Sequence, residues 1–162
     1  MMEILFKSFE DFSNKRIILI SPNVDAGSEN IRDQITSLNS KIDKHLDVLE
    51  NLAPEKFVTL IKHASICIGN SSSFLREAAL CGTPSLILGN RQEGREMGIN
   101  CTVLKKVDKA SLSKIIQNIL KSKDLSVDSR FGDGSAGKRI AEQISKLPDT
   151  YRSKPKLTFE NS

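Results

Sequence analysis

The amino-acid sequence predicts an α/β fold in which helices cover both faces of a parallel sheet. Short apolar runs alternate along the chain with amphipathic segments of helical periodicity. The runs are rich in Ile, Val and Leu, which is typical of strands buried on both faces. Regular alternation of strands and helices favours a parallel sheet. We therefore expect one Rossmann-like domain over residues 1–147 and a polar tail over 148–162.

The first part of the chain predicts a helix, a strand and a second helix. Three phenylalanines, each three residues after the last, predict a short helix within residues 1–14. The β-branched run 16–20 predicts a strand that is buried on both faces. Apolar residues of helical periodicity then predict a helix over 26–39.

The rest of the chain repeats this alternation. Pro54 marks the start of a helix, where a missing N–H costs little. The sequence Cys-Gly-Thr-Pro at 81–84 indicates the end of another helix, with Gly just beyond its last turn. The predicted strands are 45–49, 65–68, 85–88 and 100–104. In addition to the helix that starts at Pro54, the predicted helices are 72–81, 111–121 and 136–147.

Composition argues against several classes of protein. The net charge is only +4, and with no Trp and one Tyr the chain lacks a typical nucleic-acid-binding surface. No run approaches the ~20 apolar residues of a membrane helix, and the N-terminus does not resemble a signal peptide, so we expect a cytoplasmic protein without a membrane partner. The three cysteines are widely spaced and form no C-x-x-C pair. They predict buried thiols in a reducing compartment and no zinc site. We expect neither a metal nor a cofactor.

The segment 65–98 carries the most informative chemistry. A buried strand runs into Gly-Asn-Ser-Ser-Ser at 69–73, and a helix begins directly afterwards. Ligands of open α/β sheets bind beyond the carboxyl ends of the strands, and a helix N-terminus offers unpaired amides. Ser71 and Ser72 therefore predict a cradle for a diphosphate. Taken alone, these residues equally fit a tight turn with an N-cap.

Charged residues extend this candidate site. Glu77 lies six residues after Ser71, which is roughly 9 Å along a helix and comparable to the reach from a diphosphate to the ribose of one nucleotide. Its carboxylate can accept two hydroxyl donors. Arg91 and Arg95 follow the next strand, and the planar guanidinium suits phosphate. The alternatives are a solvated helix face for Glu77 and an exposed loop for the arginines.

These residues resemble a known family. The string G-N-S-S-S-x-x-R-E-A-x-x-x-G-T-P at 69–84, followed by G-x-R-Q-x-G-R-E at 89–96, is similar to the hydrolysing UDP-N-acetylglucosamine 2-epimerases of sialic-acid biosynthesis. The sequences S-P-N-V-D-A-G-S at 21–28 and F-G-D-G at 131–134 resemble the same proteins, and the resemblance covers nearly all of 12–147. It implies the C-terminal lobe of a GT-B-like fold, in which two Rossmann-like domains enclose the active site.

The resemblance also implies a reaction and a set of binding residues. The family expels UDP from UDP-N-acetylglucosamine by elimination across C1–C2 and then adds water, which yields N-acetylmannosamine and UDP. By analogy, two serines contact the diphosphate, a glutamate binds the ribose and an arginine lies at the nucleotide. The implied UDP-binding residues are Asn23, Leu52, Ser71, Ser72, Glu77 and Arg91.

The catalytic groups of the family lie outside the matching residues. Its acid/base carboxylates and a phosphate-binding arginine belong to the N-terminal domain, and its His-containing segment should lie just before residue 1. General acid/base catalysis needs groups within hydrogen-bond reach of the sugar. We therefore expect no catalytic residue in this chain, and little or no activity without the N-terminal domain as a partner. Glu29 and Asp33 replace basic residues of the animal enzyme's feedback site, which argues against that regulation.

Three functional hypotheses follow from the sequence. The first is half of a hydrolysing epimerase, the second a non-catalytic UDP-sugar-binding module, and the third a lobe of a non-hydrolysing epimerase. The Arg76-Glu77 pair and the loop 89–96 favour the first, although the motif also fits relatives that act on other N-acetylated nucleotide sugars. A glycosyltransferase lobe is disfavoured because this string is not typical of those enzymes. Self-association is a further hypothesis, since a lobe without its partner exposes apolar surface.

Overall fold

The computed structural model describes residues 2–21, 46–50, 52–122 and 126–147. The chain divides into two compact units, residues 1–130 and 131–162. In the first unit the helices are α1 (Met2–Phe9), α2 (Pro54–His63), α3 (Ser73–Cys81) and α4 (Lys109–Lys121), and the second unit contains α5 (Ala136–Ile144). The strands are β1 (Ile17–Ile20), β2 (Leu46–Leu49), β3 (Cys67–Gly69), β4 (Ser85–Leu88) and β5 (Cys101–Leu104).

The described strands form two parallel ladders. β1 pairs with β2, and β4 lies between β3 and β5. Cys67 pairs with Ser85, and Ser85 pairs in turn with Cys101, so the three strands start level with one another. Because the strands are parallel, the loops that follow β3 and β4 leave the sheet at the same edge. This topology places two loops side by side: residues 70–72 after β3, here called the serine loop, and residues 89–96 after β4, the arginine loop.

Strand β4 is the centre of the core, and all four of its residues are buried. Leu86 and Leu88 pack in one cluster with residues of α1 and α4, which therefore cover one face of the sheet. Ser85 points to the other face, where its hydroxyl donates to the carbonyl of Phe74 in α3 at 2.7 Å. The prediction of a parallel sheet with helices on both faces is confirmed.

A second apolar cluster joins α2, β3 and α3. Its buried members are Ile61, Cys67 and Ala78. Thr83 locks the end of α3 onto α2, because its buried hydroxyl donates to the carbonyl of Ile61 at 2.8 Å. Gly82 has a φ of 67°, in the left-handed region that glycine favours, so the predicted helix end is confirmed. This second cluster packs α3, the helix that carries the candidate site, against α2 and β3.

Strand β1 and helix α4 differ from their predictions. Strand β1 is not buried on both faces, because Ile18 and Ile20 are 39% and 36% exposed and alternate with half-buried residues. Helix α4 begins at Lys109, two residues earlier than predicted, because Asp108 caps it by accepting the amide of Ser111 at 2.9 Å. The helix predicted over 26–39 lies outside the described residues.

The second unit contributes one described α-helix. Asp133 precedes α5 and accepts hydrogen bonds from the guanidinium of Arg139, both at 3.0 Å, and from the amide of Ser135 at 2.9 Å. These donors, above all Arg139, hold the pKa of Asp133 below its usual range. The helix ends at Ile144, three residues before the predicted end.

Candidate functional site

The serine loop connects β3 to α3 and begins after Gly69, a position that favours glycine. Gly69 ends the strand with a φ of 154°, and a Cβ at this position would lie 3.0 Å from the ring of Phe74. Ser71 and Ser72, which follow after Asn70, are both exposed at the carboxyl edge of the sheet.

Part of the hydrogen-bonding capacity of the serine loop is already used. The hydroxyl of Ser71 accepts the amide of Ser73 at 3.3 Å, as in a tight turn. The amides of Phe74 and Leu75 donate to the carbonyls of Ser71 and Ser72 at 3.2 and 3.0 Å. The hydroxyl of Ser72, the N-cap residue, makes no cap bond, and no bond from the amides of Ser71 and Ser72 to a described residue is found. Two amides and two exposed hydroxyls thus surround the start of α3, where the helix dipole favours an anion.

Glu77 lies in the middle of α3 and is half-buried. Its Oε2 atom is buried and accepts no hydrogen bond from any residue that the structure describes. Buried carboxylate oxygens normally have a donor, because leaving one unpaired is unfavourable. The alternative of a fully solvated helix face does not fit this oxygen, which instead suits a hydroxyl donor from a ligand.

The arginine loop follows β4 and is tied to the serine loop by Gln92. This side chain is only 3% exposed, and its Nε2 donates to the carbonyl of Asn70 at 2.6 Å. Arg91 and Arg95 flank it and are exposed, and neither forms an ion pair within the described part of the chain. The loop therefore presents two exposed guanidinium groups.

Gln92 is the site residue that the sequence analysis missed. A glutamine between charged loop residues gives no sign of burial, because its role depends on a contact with a loop 22 positions away. The contact brings Ser71, Ser72 and Arg91 to one edge of the sheet. Leu52 is half-buried after β2, and no described hydrogen bond joins it to this edge. Asn23 lies outside the described residues.

The described residues contain no group of three or more His, Cys, Asp or Glu side chains arranged to hold a metal ion. Cys67 is buried, and burial raises the pKa of its thiol to about 12. Burial also raises the pKa of Cys81. A thiol with a raised pKa is a poor nucleophile at neutral pH, so these two cysteines serve as packing groups.

The fold and the site place the chain among α/β proteins that have a doubly covered parallel sheet and polar loops at its carboxyl edge. Within that class, the chain belongs to the UDP-N-acetylglucosamine 2-epimerase family, whose model matches residues 1–145.

Two curated relatives show how much of such a protein the chain represents. A UDP-N-acetylglucosamine 2-epimerase of Neisseria meningitidis is 32% identical over 157 residues, which are 95% of this chain and 40% of the relative. A hydrolysing UDP-N,N'-diacetylbacillosamine 2-epimerase of Legionella pneumophila is 26% identical over 136 residues, 84% of this chain and 35% of the relative. The chain thus spans at most about two fifths of the length of these relatives.

Two solved structures share the fold. The UDP-GlcNAc 2-epimerase of Methanocaldococcus jannaschii, in complex with UDP-GlcNAc and UDP, matches with a TM-score of 0.66 and 22% identity over 89% of this chain and 39% of its own. The Anabaena protein HepE, in complex with UDP-glucose, matches with a TM-score of 0.52 and 21% identity over 90% of this chain and 45% of its own. The neighbours are GT-B-like, as predicted. No helix in the described ranges has the length and apolar character needed to span a membrane.

Proposed function

We propose that this chain is the UDP-binding lobe of a hydrolysing UDP-N-acetylglucosamine 2-epimerase. The observation that carries the proposal is the hydrogen bond from Gln92 to Asn70, because it holds an arginine loop against a helix N-terminus with exposed serines. Amides and hydroxyls at a helix start, together with a nearby guanidinium, are the groups that bind diphosphates in proteins.

Each binding residue has a role that follows from its position. Ser71 and Ser72 bind the diphosphate through their amides and hydroxyls, and Arg91 neutralises its charge. Glu77 accepts the ribose hydroxyls with the oxygen that is buried and unpaired among the described residues. Leu52, and Asn23 from outside the described residues, complete the nucleotide site by analogy with the family.

In this proposal, catalysis requires the N-terminal domain that enzymes of the family have. The groups gathered at the carboxyl edge bind an anion, and none of them combines a base with a nucleophile. The full reaction eliminates UDP and hydrates the glycal, so its products are N-acetylmannosamine and UDP. A non-hydrolysing enzyme would instead give the manno epimer of the intact nucleotide sugar. The Arg76-Glu77 pair favours the hydrolysing reaction, and so do two relatives that are named as hydrolysing enzymes.

Calorimetric titration of the chain with UDP tests the binding role. We expect saturable binding that weakens at least tenfold in Ser71→Ala and in Glu77→Ala, because each loses a hydrogen bond to a charged or buried group. Ser122→Ala and Glu142→Ala are matched controls, since both residues are exposed and lie away from the serine loop in the sequence. Equal UDP affinity in all four variants would exclude the proposed site.

Product analysis tests the reaction. The chain is mixed with a separately produced N-terminal domain of the Neisseria relative and with UDP-N-acetylglucosamine, and the products are separated by chromatography. We expect N-acetylmannosamine and free UDP in equal amounts. Formation of an epimerised nucleotide sugar without UDP would contradict the proposed hydrolysing reaction for the combined domains.

A further inference from the structure

A small cavity of about 170 Å³ lies at the carboxyl end of β4. Its lining includes Ile87 of β4 and Val103 of β5, which are directly paired across the two strands. Met97 contributes a third apolar side chain from the segment after the arginine loop. The cavity is therefore bounded by the sheet and by the loop that carries Arg91.

One residue of the lining carries a buried polar atom that has no partner in the described structure. Gln92 lines the cavity and is 3% exposed, and its Oε1 atom is buried without a hydrogen bond from any described residue. The orientation of the amide is fixed, because the carbonyl of Asn70 accepts and so must face Nε2. The free position of Gln92 is thus an acceptor. Buried acceptors of this kind usually meet a donor.

The size of the cavity limits what it can hold. Sites for whole drug-sized ligands measure roughly 300–1,000 Å³, so this cavity is too small for a nucleotide. A dry cavity of about 150 Å³ accommodates a molecule the size of benzene. Glu93 and Lys105 also line the cavity, but they pair with each other at 2.5 Å and are both exposed. The cavity therefore suits a small, uncharged substituent with an apolar end and one N–H or O–H donor.

We propose that this cavity receives the acetamido group of the sugar. The methyl group packs against Ile87, Val103 and Met97, and the N–H donates to Oε1 of Gln92. The identity of the substituent rests on the proposed function, since the curated relatives are named for nucleotide sugars that carry N-acetyl groups. In this proposal, Nε2 of Gln92 joins the two loops and Oε1 binds the acetamido group of the sugar.

The first test uses N-methylacetamide, which presents the proposed group without a nucleotide. Methyl-labelled chain is titrated by NMR, and we expect shifts of the methyl signals of Ile87, Met97 and Val103. Val103→Phe fills the cavity and should abolish the shifts of Ile87 and Met97. Val58→Phe is the matched control, because Val58 and Val103 are 39% and 38% exposed and only Val103 lines the cavity. Unchanged signals in the wild type, or persistent shifts in Val103→Phe, would overturn the proposal.

The second test compares UDP-N-acetylglucosamine, UDP-glucose and UDP. We expect the acetylated sugar to bind the wild type roughly tenfold more tightly than UDP-glucose, because it adds one hydrogen bond and a buried methyl group. Val103→Phe should remove this preference and leave UDP affinity unchanged. Equal affinity for the two sugars, with UDP still bound, overturns the acetamido proposal alone. Absence of UDP binding in the wild type overturns the proposed function and, with it, the assignment of the cavity to a nucleotide sugar.

Discussion

The side chain of Gln92 donates to the carbonyl of Asn70 at 2.6 Å and joins the two loops at the carboxyl edge of the sheet. Ser71 directly follows Asn70, and Arg91 directly precedes Gln92. Each of these proposed phosphate-binding residues is therefore one position away from the bond. The bond is partly buried, and it holds both loops together before a ligand arrives. Binding costs less when the groups are already in place.

Replacing Gln92 by Met tests this relationship. Methionine has a similar volume but no donor, so the carbonyl of Asn70 loses its partner and the arginine loop is released. We expect the free energy of unfolding to fall by about 1–3 kcal/mol and UDP affinity to fall roughly tenfold. Chemical denaturation and UDP titration measure the two effects. Gln117→Met is the control, because Gln117 is exposed on α4. Unaltered UDP affinity in Gln92→Met would show that the bond does not organise the site.

Gly98 predicts a second measurable effect. A Cβ at this position would lie 2.4 Å from the Cβ of Ala79 in α3 and 2.6 Å from Oδ1 of Asn100. Gly98→Ala therefore overpacks the contact between α3 and the segment after the arginine loop, and we expect a loss of about 1–3 kcal/mol in the free energy of unfolding. Gly137→Ala is the control, since that helical glycine has open space and the change should stabilise α5 by roughly 0.5–1 kcal/mol.

A double substitution separates this steric clash from other causes. Combining Gly98→Ala with Ala79→Gly removes the closer of the two contacting atoms. The combined loss of stability should be smaller than the sum of the two single losses, because contacting residues are coupled. Simple additivity in chemical denaturation would mean that the two positions do not meet.

Local patterns predict the elements of this fold well where side chains interact within a few residues. Pro54 marks the start of α2 and Gly82 the end of α3, because both act through their own backbone conformation. The serine loop was equally predictable, since a strand, a glycine, hydroxyl residues and a helix follow one another directly in the sequence. The order of residues alone thus predicts that Ser71 and Ser72 lie between a strand and a helix.

Contacts across the chain are what the sequence leaves hidden. The burial of Gln92 depends on Asn70, and neither residue type indicates the pairing. Ile18 and Ile20 show the opposite error, because an apolar run predicts burial on both faces only if both faces are covered. The same limit applies to Glu77, whose unpaired oxygen becomes visible only when the surroundings of α3 are known.

The carboxylate of Asp128 predicts how stability responds to acid. It accepts the amide of Ile99 at 2.9 Å and the guanidinium of Arg130 at 2.7 Å. These donors, first the amide of Ile99, lower the pKa of Asp128 below its ordinary value. A lowered pKa means that the contribution to stability is present above the unfolded-state pKa of about 3.9 and is lost as the pH falls through the folded-state value.

Thermal denaturation between pH 7 and pH 2 measures this effect. We expect Asp128→Asn to lower the melting temperature at pH 7 and to flatten its fall below about pH 4, because the variant has no carboxylate to protonate. Parallel curves for the wild type and the variant across this range would show that Asp128 is not responsible for the acid response.

The cysteines give a test of the cluster between α2, β3 and α3. Since the pKa of Cys67 is about 12, only roughly one thiol in ten thousand is ionised at pH 8, and only the thiolate reacts rapidly. Cys81 also has a raised pKa but is only half-buried, so a reagent reaches it more easily. We therefore expect iodoacetamide to label Cys67 more slowly than Cys81 in the folded chain, as measured by mass spectrometry of peptides, and to label both at similar rates in denaturant. Equal rates in the folded chain would show that β3 separates from α2 often enough to expose Cys67, and the base of the serine loop would then open with it.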